Sequence, residues 1–161
     1  MLNQEVKISS LEDLDLFTKN FADEVKELLS SGKDLAVLFK GGMAAGKTTC
    51  VKSLARALNV TETVASPSFV GIHEYSFEID DHELIVFYHL DLYQVNLNLE
   101  AFFELMNREE KLFFAIEWSE KLSDEVLAMF TQKKDHIQVL DLAIEKLSDS
   151  ERLIRYGYRN S

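Results

Sequence analysis

Gly41-Gly42-Met43-Ala44-Ala45-Gly46-Lys47-Thr48 decides how the rest of the chain is read. The eight residues match G-x-x-x-x-G-K-[ST], the Walker A pattern. Glycines let backbone N–H groups turn inward on an anion with no Cβ in the way. Lys47 supplies a point charge for the β/γ-phosphates of a nucleotide, and the Thr48 hydroxyl can ligate Mg²⁺. A helix opening there adds the positive end of its dipole. Chance produces such a pattern in roughly fewer than one in a hundred chains of this length at ordinary glycine usage. The bland alternative is a Gly-rich turn with no ligand. Context speaks against it: residues 35–39 form a continuous apolar run, as in a buried parallel strand, and residues 48–58 follow with a helical pattern.

Moving outward toward the N-terminus, residues 4–8 suit a short strand. Ser10 followed by Asp13 forms a capping-box pattern, and Leu14, Phe17, Phe21, Val25 and Leu28 recur at helical spacing. Ser31-Gly32 stops that helix. On the C-terminal side, residues 64–65 suit a strand end halted at Ser66-Pro67. Residues 69–77 and 84–90 are rich in β-branched and aromatic types, and residues 78–82 join them as a hairpin turn. Residues 97–106 and 123–130 suit helices, the second starting at a Ser cap. Residues 112–116 suit a buried strand, and residues 137–144 and 153–158 closing strands. Strands alternating with helices predict an α/β, P-loop NTPase-like three-layer fold. Its central sheet is expected to be mostly parallel with an antiparallel hairpin, residues 1–161 forming a single domain.

A phosphate loop needs a second metal-organising group, normally an acid at the end of an apolar strand. Asp91 follows the apolar residues 84–90, and Glu117 follows residues 112–116. One acid could hold Mg²⁺, directly or through water, while the other orients an attacking water; spacing leaves the two roles open. Ser66-Pro67-Ser68-Phe69 is either an ordinary turn or a rigid one whose hydroxyls face a γ-phosphate. His89 and Asp91, two residues apart, share one strand face, as a metal-binding pair or as a packed histidine beside an acid. Phe102, Phe103, Phe113 and Phe114 are expected in the core.

The 161 residues fit one domain. Apolar residues at 47% and charged residues at 28% are ordinary for a globular chain. One proline and six glycines leave no room for a long flexible linker. Cys50, the sole cysteine, excludes an internal disulfide framework and suits a reducing compartment as a packed residue. No apolar run approaches the ~20 residues of a membrane helix, and residues 1–10 lack an export-signal layout. A cytoplasmic location off the membrane is therefore expected. The net charge of −11 repels phosphate backbones, and Lys133-Lys134 is the one adjacent basic pair. Tight direct binding to nucleic acid is not expected, while a basic protein partner is compatible.

Four segments taken in order resemble one family: Gly-x4-Gly-Lys-Thr-Thr at 41–49, Ser-Pro-Ser-Phe at 66–69, His-Leu-Asp-Leu-Tyr at 89–93 and Ile-Glu-Trp-Ser-Glu at 116–120. That family is TsaE (also called YjeE), the bacterial ATPase of tRNA threonylcarbamoyladenosine biosynthesis. The resemblance runs from about Val6 to the C-terminal strands. It implies weak ATP hydrolysis and work with the TsaB–TsaD pair, which modifies adenosine 37 of tRNAs reading codons that begin with A; tRNA would be met only through that complex. It also implies site residues. The loop 41–48, with Thr49, would hold ATP, Lys47 acting on phosphate and Thr48 on Mg²⁺. Glu117 resembles the family's metal-associated acid and Asp91 its Walker B-type acid. Ser66 matches a switch-like hydroxyl, Trp118 and Tyr93 match motif positions, and Ser10 and Arg152 match segments near the nucleotide.

Two departures stand out. Ala44 replaces a glycine of the usual family loop, and at positive φ it would strain the loop by about 1 kcal/mol. Gln94 replaces the arginine of Asp-x-Tyr-Arg and cannot supply a positive charge. They keep open a non-hydrolysing nucleotide-binding adaptor. A small-molecule kinase, the other P-loop class of this length, usually carries arginines in a lid. Here Arg152, Arg155 and Arg159 cluster near the C-terminal end instead.

Overall fold

The computed structural model describes residues 2–64, 71–132 and 136–159. Strand β1 (Gln4–Ile8) leads into helix α1 (Leu11–Ser30). Ser10 adopts the extended conformation of an N-cap, and its Oγ accepts a bond from the Asp13 amide at 3.1 Å. The Asp13 carboxylate reaches back to the amide of Ser9, at 2.9 Å, rather than to that of Ser10, so the capping box is displaced by one residue. The apolar stripe buries Leu14, Phe17, Phe21, Val25 and Leu29. Leu28, expected on that stripe, is only partly covered.

Strand β2 (Asp34–Lys40) runs into the glycine loop and helix α2 (Lys47–Ala57). Next come β3 (Ile72–Glu78), β4 (Leu84–Asp91), helix α3 (Leu99–Met106) and β5 (Lys111–Glu117). Helix α4 (Asp124–Gln132), β6 (Ile137–Lys146) and β7 (Arg152–Tyr158) close the chain. Val64 is not in a strand, and Ala65 and Ser66 lie outside the described residues.

The seven strands form one sheet in the order β1-β7-β6-β2-β5-β4-β3. The central block β6-β2-β5-β4 is parallel. The expected antiparallel hairpin is β3 with β4 on one flank, and β6-β7-β1 forms a further antiparallel set on the other. The cause of that further set is connection length. The turn between β6 and β7 closes with Leu147 N–H donating to Glu151 O at 3.0 Å, and no crossover helix intervenes, so the strands must run in opposite directions.

Parallel strands covered on both faces need continuous apolar sequence, and Leu35 through Phe39 are fully buried. One face of the sheet, with Val37, Phe87, Phe113 and Ala115, packs under α1 and α2. The other, with Leu38, Tyr88, Phe114 and Ile116, packs on Phe102 of α3 and Phe130 of α4. These are the three expected layers. Phe103 departs from expectation: it is 53% exposed, because one step along α3 turns a side chain through about 100° and away from the sheet.

A polar clasp joins α1 to α2. The Ser53 hydroxyl lies 2.7 Å from that of Thr18 and donates to Asp15 Oδ1 at 2.6 Å, and Arg56 reaches the same oxygen at 3.1 Å. The Ser53 hydrogen bond, helped by Arg56, holds the Asp15 carboxyl below its usual pKa. Among the described residues no helix is long and apolar enough to cross a membrane.

Candidate phosphate-binding site

The loop between β2 and α2 has the backbone its glycines imply. At Gly41 (φ 149°) a Cβ would sit 2.5 Å from the Ile144 carbonyl oxygen, so only glycine fits. Gly46 (φ 105°) starts α2 with no side-chain capping bond, and the first turn carries no acidic residue. The first amides of α2 therefore meet no side-chain acceptor from the cap, and together with the helix dipole they favour an anion. Ala44 has φ 57°, the left-handed conformation in which alanine is strained.

Lys47 folds back across this loop. Its Nζ donates to Gly41 O at 2.6 Å and Gly42 O at 2.9 Å and stands 3.9 Å from the centroid of the Trp118 ring. Burial pushes the Lys47 pKa below the usual lysine value, against the opposing pull of Glu117, Glu120 and Asp91. Trp118 itself has φ 55°, so the chain turns sharply just after β5. The turn brings its ring to 4.9 Å from that of Tyr93, over which Lys121 also lies, Nζ 4.9 Å from the centroid.

Asp91 and Glu117 are register partners at the ends of the neighbouring parallel strands β4 and β5. Alternation along the strands puts both on the face that packs under α2, and both are buried. The Thr48 hydroxyl contacts both Glu117 oxygens, at 2.9 and 2.8 Å. His89 lies 2.7 Å from Oε1 through its Nε2. Asp91 accepts the Tyr93 amide at 2.9 Å. Spacing had left these two acids equivalent; in the structure Glu117 is the one in contact with Thr48.

Arg152 reaches the loop, though not as an open cation. Its Nε donates to Ala45 O at 2.9 Å and its Nη2 to Ala44 O at 3.4 Å, while Nη1 bonds Ser148 O and Glu151 O. Beside the loop lies a mostly apolar cavity of about 370 Å³ lined by Ser10, Leu11, Gly46, Thr49, Ile144 and Arg152. Ser10 and Thr49, two residues implied by family resemblance, thus meet at one cavity. Met43 projects outward, 62% exposed. Cys50 is buried, as expected, and burial pushes its thiol pKa up to about 12. Gln94 is exposed beyond β4 and lines a separate cavity of about 280 Å³ with Lys121 and Val126. Ser66 lies outside the described residues.

The contact of Lys47 with Trp118 and that of His89 with Glu117 were not foreseen. Two-residue spacing put His89 on the face of Asp91, but its partner depends on the register of β4 against β5. Among the described residues no group of three or more His, Cys, Asp or Glu side chains is placed to hold a metal.

A strand, a glycine loop closed by a lysine, a helix and two carboxylates on adjacent parallel strand ends define a P-loop NTPase-like domain. The family model "Threonylcarbamoyl adenosine biosynthesis protein TsaE" matches residues 10–154. The chain belongs to the TsaE family. It is similar to the tRNA threonylcarbamoyladenosine biosynthesis protein TsaE of Aquifex aeolicus, 32% identical over 156 residues, covering 96% of each chain. It is 37% identical over 111 residues to the protein of that name from a Nostoc species, covering 65% of this chain and 64% of the relative, just under two thirds of that relative's length. The crystal structure of Bacillus subtilis YdiB shares the fold, with a TM-score of 0.61 at 23% identity, covering 98% of this chain and 86% of that one.

Proposed function

We propose that this chain binds ATP·Mg²⁺ on the loop 41–48 and hydrolyses it weakly, as the ATPase subunit that acts with TsaB and TsaD in modifying adenosine 37 of tRNA. The observation that carries the proposal is the Thr48 hydroxyl bonded to both oxygens of Glu117 directly below the loop that Lys47 closes. The donor set fits the ions. Hydroxyl and carboxylate oxygens are what Mg²⁺ prefers, and Mg²⁺ is ordinarily held by one or two carboxylates plus phosphates rather than by an all-protein cage. The mostly apolar cavity beside the loop has room for a flat base. The names of the relatives supply the tRNA pathway. A cytoplasmic location follows from that role.

In this reading Lys47 leaves the Gly41 and Gly42 carbonyls and the Trp118 face for phosphate oxygens. Thr48 and Glu117 would hold the metal, which would supply neutralisation of phosphoryl charge. Asp91, anchored by the Tyr93 amide, orients the attacking water. Arg152 holds the loop's shape. A kinase has less support, because the C-terminal arginines are engaged within the fold: Arg152 on carbonyls, Arg155 on Glu5 and Glu145, and Arg159 on Asp141. The test is ATP turnover in the presence of purified TsaB and TsaD. Lys47→Ala and Glu117→Ala should each abolish it, and wild-type turnover in either variant refutes the assignment. Nucleotide binding without turnover by the wild type in the assembled complex would favour an adaptor.

A further inference from the structure

His89 is fully buried on β4, with its ring stacked on Phe87 at a centroid distance of 6.4 Å. Its Nε2 lies 2.7 Å from Glu117 Oε1. Its Nδ1, equally buried, finds no hydrogen-bond partner among the described residues. Leaving a polar atom so placed is destabilising, and a phenylalanine would fill the slot without that cost. A histidine here thus has one polar contact to offset the penalty, the bond to Glu117. A ring with no acceptor at Nδ1 is the Nε2–H tautomer, which donates to the carboxylate. Glu117 is then gripped from two sides, by Thr48 Oγ1 and by His89 Nε2, and its carboxylate plane is fixed.

From this geometry we infer that His89 is a positioning residue that holds the Glu117 carboxylate in the orientation needed for Mg²⁺-dependent nucleotide binding. The inference rests on the nucleotide reading above and adds a role outside the loop and the two acids. It separates His89 from its neighbour Asp91, although both share a strand face: Asp91 is fixed by a local backbone amide, whereas Glu117 depends on a side chain from the adjacent strand. Glutamine can carry an N–H to about the place of Nε2. Asparagine stops near the place of Nδ1, and phenylalanine keeps the ring but has no donor.

The test compares ADP affinity with and without Mg²⁺, by calorimetry, in the wild type and in His89→Phe, His89→Asn and His89→Gln. Outer-shell partners of metal ligands are worth about 10–100-fold in metal affinity. The Mg²⁺-dependent gain in ADP affinity should therefore fall about tenfold or more in His89→Phe and His89→Asn and be largely kept in His89→Gln, with metal-free ADP affinity little changed. An unchanged Mg²⁺ gain in a folded His89→Phe overturns the positioning role while leaving the nucleotide reading intact. Absence of ADP binding by the wild type overturns both. A second measurement needs no variant: long-range ¹H–¹⁵N NMR of the wild-type imidazoles should show the buried ring as the Nε2–H tautomer. An Nδ1–H ring overturns the inference even if every variant fails to fold.

Discussion

Ala44→Gly should make the protein more stable, against the usual effect of introducing glycine. Ala44 holds φ 57°, and a residue with a Cβ in the left-handed region is strained by about 1–2 kcal/mol. Glycine removes that strain. It also enlarges the conformational freedom of the unfolded chain, which costs about 0.4–1 kcal/mol. Ala44 is exposed, so little packing goes with its methyl group, and Arg152 bonds its carbonyl, which glycine keeps. The net gain is about 0.5–1 kcal/mol, which for a chain of this size raises Tm by about 1–4 °C. Gly46→Ala is the control. Nothing lies within 4 Å of a Cβ there, so its loss comes from φ 105° alone and should be about 1–3 kcal/mol. Gly41→Ala adds a clash with the Ile144 carbonyl and should lose more. Thermal unfolding followed by far-UV circular dichroism, without nucleotide, measures all three. A lower Tm for Ala44→Gly, or a neutral Gly46→Ala, refutes the strain argument.

Further predictions concern other parts of the fold. Burial alone would raise the pKa of Asp141, but hydrogen bonds from Arg159 and Lys40 outweigh it and hold the carboxyl below its ordinary value. That stabilisation is present above the unfolded pKa of 3.8 and fades as pH falls through the lower folded value. Asp141→Asn should therefore lose about 1–2 kcal/mol at pH 7 in urea titrations, with the difference from wild type shrinking toward pH 3. The Cys50 thiol, pushed up to about 12, should resist iodoacetamide at pH 8 in the folded protein and label readily in 6 M guanidinium, as mass spectrometry can count. Ser10→Ala deletes the α1 cap and should lower stability by about 1 kcal/mol in the same urea titrations, with Ser10→Gly nearer to wild type.

The order of elements was legible because each carried its own local signal. Ser10 and Asp13 marked the start of α1, the apolar run 35–39 marked β2, and Gly41, Gly46, Lys47 and Thr48 marked the loop. Asp91 and Glu117 were legible for the same reason, since each ends an apolar run. What lies across the sheet was not. That Thr48 bonds Glu117, that His89 grips the same carboxylate, and that Lys47 rests on Trp118 all depend on which strands are neighbours and in what register. No spacing in one strand encodes its partner. The strain at Ala44 was foreseeable only as a condition, because the φ of a loop residue is set by the loop's closure. Arg152 was expected near the nucleotide and does lie at the loop, but its guanidinium is occupied by carbonyl oxygens, a use that residue type alone does not reveal.

The clasp of Thr18, Ser53 and Asp15 has a mechanical consequence. Ser53 sits on the helix that begins at Lys47, and Thr18 on the helix whose cap, Ser10, borders the neighbouring cavity. Separating the helices would break these bonds and expose their polar groups, which holds the pair together as one lever. A tilt of α2 and the loop before it must then drag the rim of the adjoining hollow with it. Neither recess can be resized alone, so a displacement of α1 is felt at the loop before α2 as well as at the cavity.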